Sequence, residues 1–388
     1  MSRLCEVPNV STFDKLRLEC LPGDWLIRPP PKRPHVIEPY VPRRAASALI
    51  GAGNVGKSTL LVEQIPHVIT GVPWRGHSVI QGDVVVLTWE DLTDDYHLKL
   101  IAFASVNDRF ASAADQIRNG LRVVPMQATG YHLVEAAANG SPALSELAEA
   151  VAVRIKKEFP RAVWVIVETA SRANAVSEDN IAMARLVEAC EVIAHRIDVG
   201  VTVTHHVTKS AIKDGTVDAT AARGGSALVD NCRATSLLIQ LDKNSHRDFL
   251  PPGVVSADLN GRDAVVLISA RASHARKSDA VWLERKFGPS GLPYFVDLVV
   301  TNAQRQDRRT EEDRRMLTFL QEHIADDQWH SMRSLTRDSK ELHGLTETAA
   351  VAALQRLSDA GKIEFDIRPQ HGDKGKMTTR YRLKADQP

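Results

Sequence analysis

The sequence predicts an α/β fold built on a mostly parallel central sheet, followed by a small domain of helices and a hairpin. Three observations carry that prediction. Gly51-Ala52-Gly53-Asn54-Val55-Gly56-Lys57-Ser58 fits the phosphate-binding loop pattern G-x-x-x-x-G-K-[ST] at every fixed position. Three Val-rich runs follow, at 84–87, 162–167 and 199–204, and each ends in polar residues, as strands buried on both faces of a parallel sheet do. Beyond residue 310 the apolar spacing becomes helical, and the chain closes on a basic hairpin.

A chain of 388 residues exceeds the usual size of one domain, so two domains with connectors are expected. A net charge of +1 excludes a uniformly basic surface, which makes any nucleic-acid contact local. Cys5, Cys20, Cys190 and Cys232 have neither metal-ligand spacing nor a disulfide framework, and they suit a reducing compartment. No apolar run is long enough to span a bilayer and the N-terminus lacks an apolar signal core. The expectation is a cytoplasmic chain with no membrane partner.

Residues 1–40 read as an N-terminal arm. Leu21, Trp25, Leu26 and Ile27 precede the stiff Pro29-Pro30-Pro31 and Pro34, and the arm packs either on its own domain or on a neighbouring subunit. The main domain is expected over 41–300. Ala46–Ile50 reads as a buried strand and Lys57–Thr70 as a helix ended by Gly71, with Pro66 expected to kink or shorten it. Gly51, Gly53, Asn54, Val55 and Gly56 would wrap a polyphosphate such as that of ATP with backbone N–H groups, continued by Thr59. Lys57 would neutralise the β- and γ-phosphates and the Ser58 hydroxyl would ligate Mg²⁺.

Glu90 ends the next strand, where open α/β sheets place their ligands, and a carboxylate there can activate an attacking water. Its neighbour Asp91 is a candidate cap for a helix over Asp94–Ser105. Leu121–Pro125 reads as an edge strand, and Ser141–Lys157 as an amphipathic helix with Ser141 as N-cap and Pro142 in its first turn. The strand Ala162–Val167 runs into Glu168, an acid placed to hold Mg²⁺. A helix over Ile181–Arg196 leads to a strand ending in His205-His206; a histidine there can bond a γ-phosphate, or serve as an ordinary core or loop residue. Lys209, Lys213 and Arg223 lie in the loop that follows, which either grips a nucleic-acid backbone or is a solvated surface. Arg233 precedes a strand over Ala234–Gln240.

The phosphate loop, Glu90-Asp91, the His205-His206-x-x-Lys209 stretch and the run from Arg223 to Arg233 occur in that order. In this the chain resembles the RecA-like ATPases of the hexameric RepA type, replicative DNA helicases of some broad-host-range plasmids. The similarity covers about residues 35–300, including Val281-Trp282-Leu283-Glu284-Arg285. It implies a ring, a hexamer, with ATP between subunits, Glu90 as base, His206 as sensor and Arg223 or Arg233 acting across the interface. Two positions depart from the family pattern: Lys99 stands where a second trans-acting arginine is expected, and Glu168 where the usual acid is Asp.

Residues 301–310 are almost entirely polar and read as a linker. Residues 311–388 read as a winged helix, with helices over Glu311–Ile324, Met332–Asp338 and Thr346–Ala360 and a hairpin of Ile363–Ile367 with Met377–Leu383. Arg368, Lys374, Lys376, Arg380, Arg382 and Lys384 make this wing basic, which suits duplex DNA; the alternative is a contact with replication proteins. Only Gln355 and Arg356 on the third helix are placed to read bases or phosphates. The combined expectation is an ATP-driven helicase or translocase on single-stranded DNA, serving replication of a plasmid or mobile element. The alternative is an ATP-switched DNA-binding loader, recombination mediator or replication regulator.

Overall fold

A computed structural model describes residues 20–24, 26–29, 32–206, 227–241, 249–252, 254–273, 279–288, 290–323, 329–369 and 377–383. Lys209, Lys213, Arg223, Lys374 and Lys376 lie outside the described residues, as does most of the arm.

The chain enters through a small antiparallel pair, β1 (His35–Ile37) and β2 (Val41–Pro42). β3 (Ala45–Gly51) leads into α1 (Lys57–Thr70), and β4 (Asp83–Thr88) into α2 (Thr93–Ala104). The short helices α3 (Asp108–Ala111) and α4 (Ala114–Gly120) precede β5 (Leu121–Pro125), the hairpin β6 (Val134–Ala136) with β7 (Pro142–Leu144), and α5 (Leu147–Glu158). β8 (Ala162–Glu168), α6 (Asn180–Ile197) and β9 (Gly200–His206) follow. The main domain closes with β10 (Ala234–Leu241), β11 (Ala264–Ala272), β12 (Val281–Phe287) and β13 (Pro293–Asp297).

Nine strands form one sheet in the order β13-β12-β11-β10-β3-β9-β8-β4-β5. The run from β10 to β5 is parallel and β11 to β13 are antiparallel, so the α/β fold with a large, mostly parallel sheet is as predicted. Alternation of side chains across the pleat divides the core in two. Ala46, Ala48, Val85, Leu87, Val165 and Val167 face α5 and α6 residues such as Ile155 and Leu186. Leu49, Val84, Val86, Trp164 and Ile166 face the α1–α2 side with Leu61, Ile65 and Phe103.

Three local expectations are corrected. α1 runs unbroken through Pro66, because burial of most of its residues holds the helix by packing rather than by every hydrogen bond. The predicted helix at Ser141 begins only at Leu147, since Asn139-Gly140 is a hairpin turn: Gly140 has φ 79°, Ala137 N donates to Ser141 O at 2.8 Å, and Ser141 Oγ donates to Asn139 Oδ1 at 2.6 Å. Residues 142–144 therefore pair with β6 as β7. The polar segment 301–310, expected as a linker, is the start of a helix over Asn302–His323. Arg308 bonds Glu312 one turn on at 2.6 Å and also Asp258, so charge pairing stabilises a segment without an apolar face.

The C-terminal part has its own core of Met316, Phe319, Leu320, Leu335, Leu354, Leu357, Ile363 and Tyr381. Around it lie the helices Asn302–His323, Met332–His343 and Glu347–Asp359, the last capped by Thr346. β14 (His330–Ser331), β15 (Ile363–Pro369) and β16 (Met377–Leu383) make a three-stranded antiparallel sheet in the order β14-β16-β15.

Candidate active site

Parallel pairing brings the C-terminal ends of β3, β4, β8 and β9 to one edge. Gly51 lies opposite His206 and Thr88 opposite Glu168 in the register. Between β3 and α1 the loop turns through Asn54 at φ 61° and Gly56 at φ 103°. A Cβ at Gly51 would meet Leu238 O at 2.6 Å, so only glycine lets the loop leave β3 so close to β10. Gly56 sits under the Phe295 ring, where a Cβ would come within 2.7 Å. Gly53 and Asn54 form the exposed apex, Val55 is buried beneath it, and Ser58 and Thr59 occupy the first turn of α1, whose positive end faces the loop.

Lys57 is buried, with Nζ 3.1 Å from Gly51 O, 2.9 Å from Ala52 O and 3.2 Å from His206 Nδ1. Burial lowers its pKa to about 8, against the pull of Glu168 and Glu90. The His206 imidazole is likewise held below its ordinary value by burial and then by the Lys57 charge. Glu168 is almost fully buried; Ser58 Oγ donates to its Oε1 and the Tyr96 hydroxyl to its Oε2. Desolvation raises the Glu168 carboxyl, and the two hydroxyl donors oppose that rise. Glu90 stands two residues past β4, where its Oε1 accepts from Thr169 Oγ1 at 3.1 Å and lies 3.8 Å from Arg172 Nε.

Lys57, Ser58, Thr59, Glu90, Glu168 and His206 thus line one cavity of about 340 Å³, together with Asp91, Lys99, Thr169, Arg285 and Pro293. Hydroxyl and carboxylate oxygens in direct contact at a helix N-terminus are the donor chemistry of Mg²⁺, so Ser58 and Glu168 fit that ion. The extra methylene of Glu168, relative to Asp, lets it reach Ser58 directly.

Asp91 does not cap α2. It pairs with Lys99, while Asp95 Oδ2 accepts the Leu92 N–H at 2.7 Å. His205 is fully buried in β9 and stays outside the cavity. Arg233 is exposed at the start of β10, which pairs Ala234 with Ser47 and Leu238 with Gly51. It therefore sits at the opposite end of the sheet from the loop of its own chain, roughly 15 Å away at strand spacing.

Two residues that support the site, Arg285 in the cavity wall and Tyr96 behind Glu168, escape a reading by motif. Tyr96 looks like a core aromatic at helical spacing, yet its hydroxyl holds Glu168. Arg285 on β12 donates Nη1 to Asn54 O at 2.6 Å and Nε to Asp263 Oδ2 at 2.7 Å, which ties the antiparallel strands to the phosphate loop. Its only signal in the sequence is the Trp282-Leu283-Glu284-Arg285 run, far from the loop along the chain.

A model of a family described as an AAA domain matches residues 12–211. No curated protein matches the chain. Among solved structures it is similar to a DnaB-like replicative helicase, at 13% identity and TM-score 0.45 over 67% of this chain and 58% of that one. The chain therefore spans little more than half of that relative's length. A KaiC-like protein from Pyrococcus horikoshii OT3 matches at 13% identity and TM-score 0.40, over 67% of this chain and 93% of that one. The RadB recombinase matches at 12% identity and TM-score 0.40, over the same shares.

Proposed function

The chain belongs to the AAA domain family, and from that premise we propose an ATP-driven, ring-forming DNA helicase or translocase that serves replication of a plasmid or other mobile element. One observation carries the ATPase reading: Lys57, Ser58, Glu90, Glu168 and His206 converge on a single cavity at the C-terminal edge of the parallel strands. Lys57 would leave the Gly51 and Ala52 carbonyls for the β- and γ-phosphates of ATP, whose charge would keep it protonated. Glu90, oriented by Thr169, would accept a proton from the attacking water. His206, in contact with Lys57, would register the γ-phosphate and pass its loss to the basic residues that follow it. Ser58 and Glu168 would hold Mg²⁺, which neutralises phosphate charge when bound. Arg233, remote from its own chain's loop, is free to serve a neighbour's cavity in a hexamer. We read residues 311–388 as a winged helix that contacts duplex DNA or a replication protein.

A second reading, an ATP-switched DNA-binding protein without unwinding activity, draws on Lys99. Its ammonium is held by Asp91 of the same chain rather than presented outward. Mg²⁺-dependent ATP hydrolysis with and without single-stranded DNA, with Lys57→Ala as the blank, tests the first reading. Stimulation of at least several-fold by single strands is expected, together with ATP-dependent opening of a forked duplex. Hydrolysis indifferent to single strands, with the fork intact, selects the switch.

A further inference from the structure

Two helices of the C-terminal part end beside one another, and each ends on a histidine. His323 is the last residue of the helix Asn302–His323, and His343 the last of the helix Met332–His343. Their rings meet edge to face at a centroid distance of 5.6 Å. Phe319 stacks on His323 at 5.4 Å and meets His343 at 5.6 Å, which fixes both imidazoles against the local core. Glu322 completes the group: its Oε2 lies 3.5 Å from His343 Nε2 and 4.0 Å from His323 Nδ1. One ligand atom from each of the three residues falls within 4.8 Å of the other two.

We propose that Glu322, His323 and His343 form a site for a divalent transition metal of the Zn²⁺ type, which clamps the C-terminal ends of these two helices together. Three physical arguments support the assignment. Bonds of about 2.0–2.1 Å in a tetrahedral shell put ligand atoms roughly 3.3–3.4 Å apart. The two spacings to Glu322 Oε2, 3.5 and 4.0 Å, already approach that value, and the Glu322 side chain is more exposed than either imidazole. The donor set of two imidazoles and one carboxylate suits zinc rather than the all-oxygen shells of Mg²⁺ or Ca²⁺. Both histidines also sit at helix C-termini, where the unpaired carbonyls give a partial negative charge that favours a cation. Among the described residues the hydrogen bond at risk is the contact of His323 Nδ1 with Phe319 O, which is long at 3.3 Å. With three protein ligands, a fourth position remains for water.

The alternative is a purely aromatic cluster with Glu322 as a nearby counter-charge. Titration of the full-length protein with Zn²⁺ at neutral pH decides between them, read by calorimetry and, with Co²⁺ as the probe, by visible d–d absorption. His343→Ala and His323→Gln are each expected to remove one equivalent of bound Zn²⁺ or weaken it at least tenfold, and to bleach the cobalt bands. Glu322→Gln, which keeps shape and exposure, is expected to weaken binding less and guards against a histidine variant that misfolds. Any Zn²⁺ taken up near Ser58 and Glu168 is unaffected by these changes and cancels in the comparison. Equal stoichiometry and affinity in all four proteins, or no Zn²⁺ uptake by the parent chain at micromolar concentration, overturns the proposal.

Discussion

The phosphate-loop cavity and the C-terminal unit carry similar charged residues, yet the fold disposes of them in opposite ways. At the cavity Glu90, Glu168 and His206 come from three strand ends and Lys57 from the first turn of α1, and all four face one space. In the C-terminal unit several of the helix charges are closed in pairs. Arg356, the candidate reader on the third helix, is 2.8 Å from Asp313 and 3.1 Å from Glu312, and Arg382 is 2.6 Å from Glu364. Its neighbour Gln355 is bonded to Asp359 at 2.9 Å. Charge that faces a cavity is available to a ligand, whereas charge already answered by a partner mainly positions its own element.

Removing a cavity charge should therefore abolish chemistry while sparing the fold. Glu90→Gln is expected to lower the rate of ATP hydrolysis by roughly 10²–10⁴-fold, with nucleotide affinity and melting temperature near those of the parent. Single-turnover hydrolysis beside a nucleotide-binding titration checks this. A hydrolysis rate within about threefold of the parent would remove Glu90 from the chemistry.

The converse case lies in the same domain. Glu63 is fully buried in α1, where its Oε1 accepts from Trp74 Nε1 and Arg75 Nε at 2.8 Å each. Desolvation raises the Glu63 carboxyl, with Arg75 as the largest opposing influence. Arg75→Ala strands that acid and is expected to cost about 3–5 kcal/mol of stability, read by urea denaturation. Glu63→Gln in the same background should recover part of the loss, because an amide is cheaper to bury than a lone carboxylate.

The Lys57 ammonium belongs to both categories, since without nucleotide it is a buried cation whose neighbours among the described residues are carbonyls, His206 and more distant acids. Its pKa of about 8 lies below the unfolded value of 10.5. The folded state therefore binds the proton less well than the unfolded chain does, and charged Lys57 disfavours folding. That penalty is full below pH 8 and fades as the pH rises towards 10.5. Lys57→Met is expected to stabilise the nucleotide-free protein by on the order of 2 kcal/mol at pH 7, with the gain shrinking by pH 10. Paired denaturation curves at the two pH values check the sign.

The same division explains what the amino-acid order discloses. Gly51 to Ser58 is contiguous, and β3, β4, β8 and β9 are runs of Val, Ile and Ala, so the phosphate loop and the strand-end residues can be read from spacing alone. Parallel register then forces Gly51 beside His206 and Thr88 beside Glu168. Arg285 and Tyr96 are not legible in this way. One reaches the loop from an antiparallel strand 231 residues on, and the other resembles a core aromatic until its hydroxyl is seen on Glu168. The 301–310 segment and the Asn139-Gly140 turn are illegible for a different reason: a polar segment held in a helix by charge pairs has the composition of a linker, and the Ser-Pro after the turn has the form of a helix start.

The smallest effect separates two arginines of the C-terminal unit, one on the hairpin and one paired on the third helix. Arg380 lies on β16, opposite Asp366. Arg356 is fixed on acids of the neighbouring helix. If the hairpin lies along a duplex, Arg380→Ala should reduce the slope of log K against log salt by about 1, with affinity lowered evenly across sequences. Arg356→Ala should leave that slope unchanged and instead lower the melting temperature, since Glu312 and Asp313 lose their shared guanidinium. Fluorescence anisotropy on a short duplex at several salt concentrations measures both variants. A slope that changes for Arg356→Ala and not for Arg380→Ala would mean that the third helix faces the nucleic acid after breaking its ion pairs. Ligand binding would then be what opens the pairs of this unit, and a paired charge would be as available to a ligand as one that faces a cavity.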